Sequence, residues 1–260
     1  MSGYGDIATL TASPNGAGQP RRVRIGLLAL ATDLASEHDL PRLLPGDVDL
    51  YTARLDYRNP VTMESLRAMA GSIGGEVAKL LPGGELDAVI YGCTSGTVAI
   101  GEAEIARLIH DVRPECPVTT PLGACREAFR ALDARRIAVL TPYTPAVTQT
   151  MIAGVEAFGC EITKAACFNL ESDYEMAGLS PQALLEGGRE VLDGKAEALF
   201  VSCTALHASA FVSLLENQLG IPVVASNQAL AWHATRLMGR ADAVAGAGRL
   251  MQLPLPAESG

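Results

Sequence analysis

The stretch LDAVIYGCTSGTVAIGE (86–102) runs an apolar segment into a cysteine, then follows it with Thr94, Ser95 and Gly96 before a helical pattern resumes. AEALFVSCTALHASAF (196–211) repeats the plan: an apolar run, Cys203-Thr204, then a helix-like segment. A short continuous apolar run bounded in this way reads as a strand covered on both faces. Working outward, strand patterns fall at 22–30, 47–55, 86–92 and 117–120, and again at 136–142, 160–168, 196–202 and 221–226. Helical patterns fill 62–81, 97–112, 122–133, 145–158, 181–193, 207–219 and 227–239. Strands alternating with helices predict βαβ units and parallel sheets.

The order is duplicated. Ile25 corresponds to Ile137, Cys93 to Cys203, and Pro117-Val118 to Pro222-Val223. Two copies make a doubled unit rather than a solenoid. The predicted fold is therefore α/β, with two similar half-domains whose four-stranded parallel sheets are related by a pseudo-two-fold axis. Half-domain one is assigned 22–120 plus 207–260, half-domain two 121–206, and 1–21 a flexible tail rich in Gly, Ser and Pro. Residues 241–260 are expected to end as a short strand or arm. Ligands of parallel sheets bind at the carboxyl ends of strands. Both cysteines fall there, so the repeat itself directs them toward one cleft.

Composition narrows the function. Of the 260 residues 48% are hydrophobic and 5% aromatic, and the net charge is −9. That balance argues against nucleic-acid or anionic-membrane partners, which need clustered cations; the cationic trio of Arg21, Arg22 and Arg24 is read as flanking the first strand. There is no apolar run of about 18 residues and no basic-then-apolar leader, so a cytoplasmic location is expected. The six cysteines read as free thiols. No CxxC pair points to a metal, and no glycine-rich phosphate loop or pyridoxal-lysine context is present, so no cofactor is expected.

A thiol just before a helix start feels the positive end of the helix dipole, which lowers its pKa. The N–H groups of Thr94, Ser95, Gly96 and Thr97 are then free to hold a carboxylate, and Cys203, Thr204 and Ala205 repeat the arrangement. One sulfur can attack or deprotonate while the other delivers a proton from the opposite face. A lone cysteine often only fills core, the reading kept for Cys116, Cys125, Cys160 and Cys167. His207, four residues after Cys203, would share its helical face or sit half-exposed without a role. His38, His110 and His233 show no partner, and Trp232 is read as core or a subunit contact.

With these motifs the chain resembles the aspartate/glutamate racemase superfamily, in its maleate cis–trans isomerase and arylmalonate decarboxylase branch. YGCTSGTVAIGE (91–102) is similar to ectoine-utilisation members of that branch. The resemblance spans about 22–240 and implies a cofactor-independent, homo-oligomeric enzyme acting on a small carboxylic acid. It makes Cys93 and Cys203 the catalytic pair, and the N–H groups at Thr94, Ser95, Thr204 and Ala205 are then expected against the substrate. Decarboxylases of the branch keep glycine at the first cysteine position, so two cysteines favour isomerisation or racemisation. LTPYTPAV (140–147) matches a loop whose tyrosine, here Tyr143, contacts a substrate carboxylate; a bystander loop residue is the alternative. Asn169 matches a substrate-binding asparagine, or is a turn residue.

One segment departs from the pattern. LALATDLASEHDL (28–40) puts Thr32 and Asp33 where maleate isomerases carry an asparagine that grips substrate. An ionised aspartate repels a dianion. Asp33 therefore either pairs with an ammonium or ring nitrogen of an amino-acid substrate, ectoine-derived rather than maleate-like, or caps the next helix or orients a thiol. Two further readings compete: a decarboxylase of malonate-like acids, and a non-catalytic small-molecule binding protein.

Overall fold

β1 (Val23–Leu30), α1 (Ser36–Leu43), β2 (Val48–Leu55), α2 (Met63–Ala68), α3 (Ala70–Lys79), β3 (Ala88–Tyr91), α4 (Thr94–Ile100), α5 (Glu102–His110), β4 (Val118–Thr119) and α6 (Pro121–Ala131) form the first copy. The second consists of β5 (Arg136–Thr141), α7 (Pro145–Glu156), β6 (Glu161–Cys167), α8 (Asp173–Ala177), α9 (Pro181–Val191), β7 (Ala198–Val201), a 3₁₀ turn (His207–Phe211), α10 (Val212–Leu219), β8 (Val223–Ala225) and α11 (Ser226–Leu237). The structure is a computed structural model and describes residues 8–11 and 21–257. Most of the expected 1–21 tail, and the last three residues of the expected C-terminal arm, lie outside that range.

Both sheets have four parallel strands, ordered β2-β1-β3-β4 and β6-β5-β7-β8. The register is duplicated as well: Ile25 lies opposite Ala88 as Ile137 lies opposite Ala198, and Val89 opposite Val118 as Leu199 opposite Val223. Every residue of β3 and β7 is buried, while the edge strands β2 and β6 are largely half-exposed. This is why the inner strands read as unbroken apolar runs. α6, α7 and α9 each begin with a Thr or Ser cap followed by proline, which fixes where the chain turns back over the sheet.

The half-domain boundaries need correction. β8 hydrogen-bonds β7 in the second sheet, and α10 packs on α9 and β8, so 207–225 belong to the second copy rather than the first. α11 crosses back, lying against α1, β3, β4 and above all α6, its counterpart in the first copy, and α6 in turn sets Phe129 edge-on to Phe200 of β7. The described part of the C-terminal arm, 241–257, forms no strand; a 3₁₀ turn (Leu250–Gln252) carries it over α11, where Trp232 and Arg236 donate to the Leu253 carbonyl at 2.9 Å. Trp232 is fully buried core. The pattern at 97–112 starts earlier and breaks at Gly101, whose φ of 97° suits glycine. Arg21 and Arg22 pair with Asp87 and Asp49 beside β1. Among the described residues no helix is long and apolar enough to cross a membrane.

Candidate active site

Cys93 follows β3 and caps α4: its Sγ accepts from the Gly96 N–H at 3.2 Å. A Cβ at position 96 would stand 2.9 Å from that sulfur and 2.6 Å from the Tyr91 hydroxyl, so the close approach requires glycine. Cys203 follows β7 but opens no α-helix. Its φ is 146°, a strained value for a side-chain-bearing residue, and a turn leads to the 3₁₀ segment. Its Sγ accepts from the Ala205 N–H at 3.3 Å. The two cysteine loops are thus equivalent in place and different in backbone.

Each loop is fastened to the opposite copy. Thr94 donates its hydroxyl to Ser226 Oγ at 3.0 Å, and Thr204 donates to the Gly92 carbonyl at 2.9 Å. Ser226 Oγ also accepts the Cys203 N–H at 3.1 Å, so one buried hydroxyl ties both loops. Asn227 holds the Thr204 carbonyl at 2.9 Å. Ser226→Ala leaves two buried donors without an acceptor and is expected to cost about 3 kcal/mol, measured as a lower urea midpoint.

Both thiols line one narrow cavity, together with Asp33, Thr94, Ser95, Tyr143, Thr204 and Ala205. Tyr57 and Asp173 line it too. Its free volume is about 10 Å³, room for about one water molecule, so a ligand of a few carbons has to push the wall outward on binding. The hydroxyls of Tyr57 and Tyr143 are buried and have no hydrogen-bond partner among the described residues. Two wider surface clefts elsewhere lack this convergence of reactive groups.

Burial governs the electrostatics. It pushes the Cys93 thiol up to about 12, against the Gly96 N–H that favours the thiolate, and Asp173 and Asp33 add repulsion. Cys203 is pushed up as well, by desolvation first and then by Asp173 and Cys93, against the Ala205 N–H. The lowered pKa expected for a helix-start thiol is therefore not found in the ligand-free protein: desolvation outweighs the helix end.

Asp33 does cap α1's approach: its Oδ1 accepts from the Ala35 and Ser36 N–H groups at 2.7 and 2.9 Å. Its Oδ2 is buried and unpaired, and burial raises its pKa. Asp33→Asn keeps the capping oxygen and removes the buried charge, so it is expected to raise the urea midpoint at pH 7. The sign follows from the raised folded-state pKa: the stability Asp33 contributes is present below about 3.8 and lost as pH climbs through the folded value. The advantage of the variant should therefore vanish in acid.

Thr32 does not line the cavity but donates to Asp173 Oδ2 at 2.5 Å. Asn169 is a correction: it is exposed at φ 57°, in a turn whose N–H bonds the Tyr143 carbonyl, and does not line the cavity. Asp173, four residues on, reaches the wall instead. His207 does not line the cavity either; its Nδ1 lies 3.3 Å from Asp39 Oδ1, which also meets His38 Nδ1 at 3.1 Å. His233 bonds Thr119 at 2.8 Å, and burial lowers its pKa to about 4. All six cysteines are free, and Cys116, Cys125, Cys160 and Cys167 stand outside the cavity. Sequence reasoning missed Tyr57, Asp173 and Ser226. Only Ser226 carried a signal, as the residue right after the last strand of the second copy.

The arylmalonate decarboxylase family model matches residues 60–251. The chain belongs to that family. Maleate isomerase from Nocardia farcinica is 26% identical over 243 residues, 88% of this chain and 95% of that one. Arylmalonate decarboxylase from Bordetella bronchiseptica is 29% identical over 137 residues, 52% and 57% of the two chains. Among solved structures, Nocardia farcinica maleate cis-trans isomerase carrying a covalently bound succinylcysteine intermediate is similar at TM-score 0.82 and 24% identity, covering 88% of this chain and 98% of that one. Arylmalonate decarboxylase is similar at TM-score 0.73 and 24% identity, covering 88% and 99%. The expected fold and superfamily branch therefore hold.

Proposed function

We propose that this family member is a cofactor-independent isomerase of a small unsaturated carboxylic acid, with Cys93 and Cys203 as the reacting pair. The observation that carries this reading is the convergence of both thiols on one cavity, each fixed by a threonine bond to the other copy. The similarity to maleate isomerases across 88% of the chain supports it, as does the succinylcysteine reported for the Nocardia enzyme.

The steps balance without a co-reactant. Cys93 Sγ bonds to one alkene carbon while its proton, relayed through the Cys203 thiol, reaches the other. The former double bond is now single and rotates. In the reverse relay Cys203 takes the proton from carbon while passing its own to the departing Cys93 sulfur; the carbon–sulfur bond breaks, the double bond reforms trans and both thiols are restored. Negative charge developing on the substrate carboxylate is met by the Thr94–Ser95 wall, and the Tyr143 hydroxyl supplies a donor without an existing partner.

The same family contains decarboxylases, and that match supports a second reading: loss of carbon dioxide from a malonate-like acid. Proton NMR in deuterated water separates them, using maleate, phenylmalonate, aspartate and the cyclic amino acid ectoine as probes. A cis-to-trans change in an alkene signal supports isomerisation; a new deuterated C–H centre with bicarbonate supports decarboxylation. No change in any probe, with a ligand bound, would leave a binding protein as the better account.

A further inference from the structure

The reactive cavity is acidic, and nothing in its wall offsets the charge. Asp33 comes from the loop after β1, and Asp173 opens α8 in the second copy. They are 2% and 6% exposed. Thr32, next to Asp33, donates to Asp173 Oδ2, which ties the loop that carries Asp33 to the start of α8. Asp33 Oδ1 is occupied by two backbone N–H groups, while its Oδ2 is buried without a partner. A buried carboxylate oxygen left unpaired is costly and calls for a donor. Among the described residues lining the cavity there is no Lys, Arg or His. Arg54 lies near Asp33 but is engaged by the Leu30, Ala31 and Asp33 carbonyls and by Glu37.

We propose that the substrate of this cavity is a small carboxylic acid bearing a protonated nitrogen, an ammonium or amidinium, seated between Asp33 and Asp173. The inference rests on the reading of this cavity as the reaction site and names its substrate class. The nitrogen supplies the donor that Asp33 Oδ2 lacks, and the acid group faces the Thr94–Ser95 side. The charge it brings also acts on the sulfurs. Asp173 and Asp33 oppose ionisation of Cys93; a cation between them cancels that opposition. A plain dianion would add to it instead. Substrate binding thereby switches on the nucleophile, and nitrogen-free acids of the same length are rejected by charge rather than by shape.

Isothermal titration of the full chain tests this with two sets of probes: maleate and succinate on one side, aspartate, 2,4-diaminobutyrate and ectoine on the other. The wild type is expected to bind at least one nitrogen-bearing probe ten-fold or more tighter than either nitrogen-free acid. Asp33→Asn and Asp173→Asn should each lower that preference about ten-fold, and the double variant should reverse it toward maleate. Asparagine keeps an oxygen for the N–H groups at Asp33 and for Thr32; if either single variant fails to fold, the other carries the comparison. The proposal is overturned if maleate or succinate binds as tightly as every nitrogen-bearing probe, if no nitrogen-bearing probe binds, or if the preference survives both substitutions. Binding needs no turnover, so the two readings fail separately. Efficient isomerisation of maleate alone would uphold the isomerase and overturn the inference; tight binding of an amino acid without conversion would do the reverse.

Discussion

Cys93→Ala and Cys203→Ala each lower turnover by roughly 10³-fold or more, and the double variant loses little beyond either single one. Residues acting as one unit are strongly non-additive, because removing either member disables the shared step. Here the unit is visible: both sulfurs face one cavity, and each lies in the other's field. The check is the NMR assay with the best probe, run on both single variants and the double. The single variants should also differ from each other in one respect. If Cys93 forms the covalent bond, a substrate adduct should be trapped by mass spectrometry in Cys203→Ala or Cys203→Ser and not in Cys93→Ala. Comparable turnover in either alanine variant would remove the two-sulfur mechanism.

The second large effect concerns reactivity in the free protein. With its thiol pushed up to about 12, Cys93 holds only about one thiolate in 10⁵ at pH 7. The greater nucleophilicity of a more basic sulfur recovers part of this deficit. The net expectation is alkylation by iodoacetamide about a hundred-fold slower than for free cysteine, read peptide by peptide by mass spectrometry. The rate at Cys93 should keep climbing past pH 9 rather than level off near neutrality. A plateau near pH 7 would show that the thiolate is already present, and that the helix start outweighs burial after all.

The duplicated sheets were legible because parallel strands buried on both faces leave an unmistakable apolar signature, and because Ile25, Cys93 and Pro117 have counterparts in the second copy. The pairing of Cys93 with Cys203 at one cavity was legible for the same reason. What failed depended on contacts between distant residues. The boundary at 207 failed because the alternation of strand and helix does not say which sheet a short strand joins; three residues of β8 settle that by pairing with β7. Asn169 was chosen by likeness of position, but a left-handed turn points it outward and the next helix start, at Asp173, reaches inward. The thiol pKa was misjudged because a sequence shows the helix that follows a cysteine, not the completeness of its burial. The two roles of Asp33 were posed as alternatives, and its two oxygens divide: one caps, the other is left to the cavity.

The reciprocal threonine bonds and the shared Ser226 hydroxyl make the chain behave as a dimer fused end to end. Neither copy owns its sulfur: the loop that carries Cys93 is moored on the far copy, and the loop that carries Cys203 on the near one. The two repeats therefore cannot drift apart independently, since a change in either anchorage is felt at the other's reacting atom. Hinge-like opening between the copies would likewise break the threonine bonds that set both cysteines against one cavity.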